Sequence, residues 1–116
     1  MTAYALAYMT PQPPLHDDVF VYMERIQETM DPFGGRFLVH GTPPEVVEGP
    51  LEGMYVLIEF PDTDKARAWY ASDAYQEILP MRADNIPGTT VLLDGVPPNY
   101  DVAATGRALR AAQAAG

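Results

Sequence analysis

The chain has 116 residues, 47% of them hydrophobic, which predicts one globular domain and excludes a wholly disordered polymer. It has no cysteine, so disulfides, thiolate metal sites and cysteine nucleophiles are excluded. The formal net charge is −9 and the seven basic residues form no cluster, which excludes a phosphate-neutralising nucleic-acid surface and reads as a solubilising one.

The N-terminal segment has no basic region followed by a long apolar run, so no signal peptide is expected. No apolar stretch approaches the roughly 18 residues of a membrane span, so no membrane partner is expected. Together with the lack of cysteine, this predicts a cytoplasmic protein.

The first predicted strand is Ala3 to Met9. Tyr4, Leu6 and Tyr8 share one face, and Ala3, Ala5 and Ala7 the other, where the small side chains invite close packing. The prolines from Pro11 to Pro14 end it. Helix spacing then runs from about His16 to Met30, with Val19, Tyr22, Met23, Ile26 and Met30 as the buried stripe. Asp17 and Asp18 suit the positive end of its dipole. Pro32 and the Gly34-Gly35 pair stop it.

A second strand spans Arg36 to His40. After a kink at Gly41 to Pro44, extended structure is expected to resume at Glu45 to Glu48, forming the proline-broken outer arm of a long hairpin. The third strand, Met54 to Phe60, carries the strongest signal. Met54, Val56, Ile58 and Phe60 point one way, and Tyr55, Leu57 and Glu59 the other, so both faces are largely apolar. Asp62 or Thr63 caps a helix over about Thr63 to Ala71, with Ala66, Trp69 and Tyr70 inward. A further short helix is predicted over Asp73 to Leu79, with Pro80 as a break or a new first turn. The last strand is about Gly88 to Asp94. We therefore expect a domain over residues 1–96, followed by an Ala-rich tail or short helix over 97–116.

The order strand, helix, strand, strand, helix, strand predicts an α+β, ferredoxin-like βαββαβ plait: a four-stranded antiparallel sheet with two helices on one face. The other face is then apolar and uncovered. A second copy would cover it, sheet to sheet, as in a dimeric α+β barrel. At roughly 25 cal/mol per Å², burying about 800 Å² is worth on the order of 20 kcal/mol before entropy costs.

At Gly34-Gly-Arg-Phe-Leu-Val-His-Gly41, at Glu59-Phe-Pro61, and at Ala66-Arg-Ala-Trp-Tyr-Ala-Ser-Asp-Ala-Tyr-Gln76, the chain resembles the domain-of-unknown-function 1330 family of the dimeric α+β barrel superfamily. The resemblance covers roughly residues 3 to 95 and implies the same plait and a sheet-to-sheet homodimer, with no established reaction. Related families include cofactor-independent monooxygenases, muconolactone-isomerase-like proteins and haem-degrading enzymes, whose ligands sit between helices and sheet. That is an analogy of fold. Family members commonly place arginine where this chain has His40.

Several residues are candidates for chemistry. His40, ending the second strand, is a candidate general base; His16 reads as a surface residue. Arg36 and Glu59 lie on adjacent strands and read as a cross-strand ion pair, or as a carboxylate-binding cation and an acid–base group in a pocket. Trp69, Tyr70 and Tyr75 read as core aromatics or as the wall of a ligand cavity. Arg82, after Pro80, reads as a solvated arginine or as a positive charge closing that cavity. The candidate catalytic set is His40, Glu59 and Tyr70; the candidate ligand-binding set is Arg36, Trp69, Tyr75 and Arg82.

Two histidines and scattered carboxylates give no metal-ligand spacing, so neither metal nor cofactor is expected. Ser72 is the only serine, and no nucleophile elbow, phosphate loop or dinucleotide fingerprint occurs. These readings point to a small dimeric protein that binds an organic molecule, anionic or aromatic, in a helix–sheet cavity. The alternatives are a cofactor-independent monooxygenase- or isomerase-like enzyme and a protein-docking subunit.

Overall fold

The structure is a computed structural model and describes residues 1–116. Its elements are β1 (Ala3–Met9), α1 (Asp17–Met30), a 3-10 turn (Asp31–Phe33), β2 (Arg36–His40), β3 (Met54–Phe60), α2 (Thr63–Ala71), α3 (Asp73–Ala83), β4 (Gly88–Asp94) and α4 (Val102–Ala115). The strands form one antiparallel sheet in the order β2-β3-β1-β4. This is the ferredoxin-like plait, with β1 and β3 central.

The helix-facing side of the sheet is small where the helices come close. Ala3, Ala5 and Ala7 are buried on β1, and Val56, Ile58 and Phe60 on β3. Phe60 and Trp69 lie 5.2 Å apart, and Trp69 and Tyr75 4.2 Å apart, so an aromatic column joins sheet to helices. The Trp69 indole N–H donates to Thr29 Oγ1 at 3.0 Å, and that hydroxyl donates to the Ile26 carbonyl at 2.7 Å. Thr29 thus belongs to the buried stripe of α1 in place of Met23, which faces solvent. The stripe 19, 22, 26, 29, 30 leaves position 23 on its far edge.

Caps set the helix starts. His16 Nδ1 accepts the Asp18 N–H, Asp62 Oδ1 accepts the Lys65 N–H, and Ser72 Oγ accepts the Tyr75 N–H. Three expectations besides Met23 are corrected. Residues 41–53 form no strand, so the hairpin has no second outer arm; Pro43, Pro44 and Pro50 deny the segment the N–H groups a ladder needs. Tyr70 does not face inward and is 36% exposed, because Ala66 and Trp69 already fill the inner face of α2. Helix α3 does not stop at Leu79 but runs through Pro80 to Ala83. Gln76 and Pro80 lie on its exposed side, so the carbonyl freed by the proline meets water.

The tail forms α4, capped by Asp101 and burying no residue. Together with the 41–53 loop it extends the molecule: the radius of gyration is 17.2 Å, against about 13 Å for a compact chain of this length. No helix is long and apolar enough to cross a membrane.

Gly35 leads into β2 where the core leaves no room for a side chain. A Cβ there would lie 2.6 Å from Phe60 Cε1 and 3.1 Å from Met30 Cβ, both in the core. Gly35→Ala is therefore expected to cost about 1–3 kcal/mol of overpacking, read as a lower urea midpoint at unchanged slope. An unchanged midpoint would show that the Phe60 ring can yield.

Candidate functional site

One cavity of about 60 Å³ lies between the helices and the sheet. Of its 17 lining residues 13 are hydrophobic, so the few polar groups decide what it can hold. The floor is the alanine side of β1 with Val56 and Ile58. The roof is Tyr22 and Ile26 of α1 with Trp69, Tyr75 and Arg82 of the other two helices.

Arg82 enters the roof through the continuation of α3. Tyr75, Ile78 and Arg82 follow the i, i+3, i+7 rule, and all three are buried. The Asn85 and Ile86 N–H groups donate to the Arg82 carbonyl, at 3.0 and 2.8 Å, and fix its backbone. Its guanidinium is 5.6 Å from the Tyr22 ring centroid, and Nη2 donates a long 3.4 Å bond to the Tyr75 hydroxyl. The Tyr22 and Tyr75 hydroxyls share a 2.9 Å hydrogen bond.

The electrostatics are unusual. Arg82 is 8% exposed, its buried Nε has no hydrogen-bond partner, and it joins none of the arginine–carboxylate ion pairs, which belong to Arg25, Arg36, Arg67 and Arg107. A buried ion without a counter-ion costs on the order of several kcal/mol. Burial weighs against the charge and hydrogen bonds from the guanidinium to the tyrosines favour it, the net direction being upward, and an arginine is in any case not deprotonated at neutral pH. The guanidinium is therefore a fixed cation. Burial, with Tyr75 second, raises the pKa of the Tyr22 hydroxyl, keeping it a neutral proton donor.

A β-bulge places His40. Arg36 pairs with Glu59 and Phe37 with Ile58, but then Val39 pairs with Leu57 and His40 with Val56; Leu38 is the extra residue. Strict alternation would set His40 beside Arg36 on the open face. The bulge turns it to the cavity face instead, where its ring meets Phe37 edge-on at 5.2 Å. His40 is exposed and stands at the open side of the cavity.

Arg36 and Glu59 lie on the other face, joined by two 3.0 Å contacts from Nε and Nη2 to Oε1. The expected cross-strand pair is thus present. His40 and Glu59 have a sheet between them and do not converge on one site. Tyr70 does not line the cavity, although its ring lies 5.5 Å from that of Tyr75. Trp69, Tyr75, Arg82 and His40 are brought together. The place of Tyr22 on the stripe of α1 predicts its burial but not its hydroxyl partner.

Residues 2–96 match the family described as "Domain of unknown function (DUF1330)", and the chain belongs to that family. No curated protein matches the sequence. Among solved structures, the methylated RPA0582 protein of Rhodopseudomonas palustris, a protein of unknown function, aligns with a TM-score of 0.66 at 13% identity, over 85% of this chain and 84% of that one. Rv0793 of Mycobacterium tuberculosis aligns at 0.53 and 11% identity, over 86% of this chain and all of that one (100%). A candidate antibiotic biosynthesis monooxygenase from Nitrosomonas europaea aligns at 0.50 and 13% identity, over 85% of this chain and 94% of that one. At these identities the likeness is one of fold.

The raised Tyr22 pKa sets a direction for alkaline stability. The unfolded chain releases this proton near pH 10 and the folded one only higher, so the contribution is full below about pH 10 and is lost as pH climbs above it. Tyr22→Phe should flatten the decline of the urea midpoint above pH 10. It should also cost about 0.5–1.5 kcal/mol at pH 7 for the lost hydrogen bond. An identical alkaline profile in wild type and variant would contradict the assignment.

Proposed function

We propose that the protein is a homodimer, built sheet to sheet, in which each subunit binds a small organic molecule in the helix–sheet cavity. The binding reading rests on one observation: apolar walls converge on a charged guanidinium that no protein group neutralises. Side chains that leave a cavity and an unpaired charge in the core are costly to stability, and a bound molecule offsets both costs. The cavity is smaller than the roughly 150 Å³ void known to hold benzene. A ligand would thus place a few atoms inside and extend through the open side past His40.

The dimer reading rests on the open face. Leu6 and Leu57 pair at its centre, with Tyr4, Tyr8, Tyr55, Val91 and Leu93 around them. The Tyr8 and Tyr55 rings meet at a tilt, 5.3 Å between centroids. The isolated chain exposes 7862 Å², whereas a compact monomer of this mass exposes about 6,200 Å². A facing sheet, like the projecting loop and tail, accounts for part of that difference. Acid–base catalysis by His40 with Glu59 has no support, because the two side chains point to opposite faces.

Two measurements test the proposal. A thermal-shift screen of neutral, acidic and basic fragments should yield stabilising compounds for the wild type, and Ala7→Leu, which fills the cavity floor, should abolish their effect. A screen without a single stabilising compound, or stabilisation that survives Ala7→Leu, would remove the cavity from the function. Sedimentation equilibrium at micromolar concentration should give a dimer, and Leu57→Glu a monomer. A monomeric wild type would reject the assembly.

A further inference from the structure

The polar groups of the cavity are specific enough to name a ligand class. We propose that the cavity recognises a monocarboxylate with an apolar body, the carboxylate lying against Arg82 and Tyr75 and the body along the alanine side of β1 toward His40. The inference rests on the cavity reading above and narrows it.

Three observations carry it. The Nε–H of Arg82 is buried with no acceptor, and it lies on the same edge of the guanidinium as Nη2, which holds only a 3.4 Å bond to Tyr75. That edge is the one that clasps a planar carboxylate through two parallel hydrogen bonds. The Tyr75 oxygen meets both Nη2 of Arg82 and the Tyr22 hydroxyl. With Tyr22 donating to it, the Tyr75 oxygen accepts twice and its own proton is left to donate to a ligand oxygen.

Charge count then selects among anions. The cavity holds one fixed cation within apolar walls, in a chain of net charge −9. A single negative charge is matched by Arg82. The second charge of a phosphate monoester or a dicarboxylate would sit unpaired against Val19, Ile26 and Ile58. A carboxamide of equal shape keeps one acceptor oxygen but lacks the charge and points N–H groups toward the guanidinium. It therefore separates recognition of charge from filling of the cavity.

The test is isothermal titration of the full chain at pH 7 with hexanoate and phenylacetate, each beside its amide, with inorganic phosphate as a further arm. Each acid is expected to bind at least about tenfold tighter than its amide. Arg82→Met should erase that preference, leaving acid and amide alike. Tyr75→Phe should weaken the acid several-fold and leave the amide nearly unchanged. Equal affinity of acid and amide for the wild type would overturn the carboxylate assignment while leaving the cavity a small-molecule site. Phosphate binding as tightly as the acids would also overturn it, in favour of a general anion site. If none of the four organic probes binds up to about 10 mM, the carboxylate assignment and the cavity reading fail together. The acid–amide comparison in the wild type decides the matter even if Arg82→Met does not fold.

Discussion

A guanidinium held inside an apolar layer without a carboxylate is the constraint around which the molecule is arranged. Burying Arg82 requires a helix that carries it inward, a hydroxyl to receive Nη2, and an aromatic face to lie against. Helix α3 supplies the first, Tyr75 the second and Tyr22 the third. Those two tyrosines come from α3 and α1, so the charge also ties together two of the three helices that roof the cavity. On the exposed side of the same helix pair, Arg25 meets Glu77 at 3.2 Å, a solvated ion pair of the kind that contributes little. The difference between these arginines is burial, not residue type. In water a partner is optional; in the core its lack is a cost that selection has tolerated.

The sheet divides the labour. Its helix side is built from alanines on β1, and these small residues leave the space that larger side chains would close. Its other side carries Leu6, Leu57 and the tyrosines of β1 and β3, which no helix covers. The Arg36–Glu59 pair sits on that second side, where Glu59 is partly buried and Arg36 largely exposed. A charge pair at the margin of an apolar face constrains how a partner can dock, because only some approaches leave both ions hydrated or matched. One strand, β3, therefore serves the cavity with Val56 and Ile58 and the open face with Tyr55 and Leu57.

Much of this was legible in the chain. Alternation along Ala3 to Met9 and Met54 to Phe60 gave both faces of the central strands, and the order of elements gave the plait. The Arg36–Glu59 pairing followed from strand adjacency. What the sequence hid were departures from regular geometry. Pro80 marks a stop by any local rule, yet the helix passes through it because the lost hydrogen bond falls on the solvent side. Extending the periodicity past Pro80 would have placed Arg82 beside Tyr75 and Ile78 on the inner face. The bulge at Leu38 leaves no compositional trace, since a residue is added to the register without any glycine to mark it. It reverses the faces of Val39 and His40 and so separates His40 from Glu59. The hydrogen bond between Tyr22 and Tyr75 spans 53 residues of sequence, beyond the reach of any local pattern.

These departures fall together, and their coincidence is informative. A chain selected only for stability would fill the space above Ala7, shorten or neutralise Arg82, and run β2 in strict alternation. Here the cavity, the unpaired guanidinium, the proline-bearing helix and the bulge all bear on one volume between the helices and the sheet. Elsewhere the rules hold: capped helices, a buried stripe on α1, and ion pairs at the surface. Regular structure surrounding a cluster of irregularities is the pattern expected when a small part of a fold is shaped for something other than folding. The irregularities converge on a buried guanidinium and on the paired Tyr22 and Tyr75 hydroxyls, and the carboxylate proposed above would match both: it accepts hydrogen bonds and carries the opposite charge.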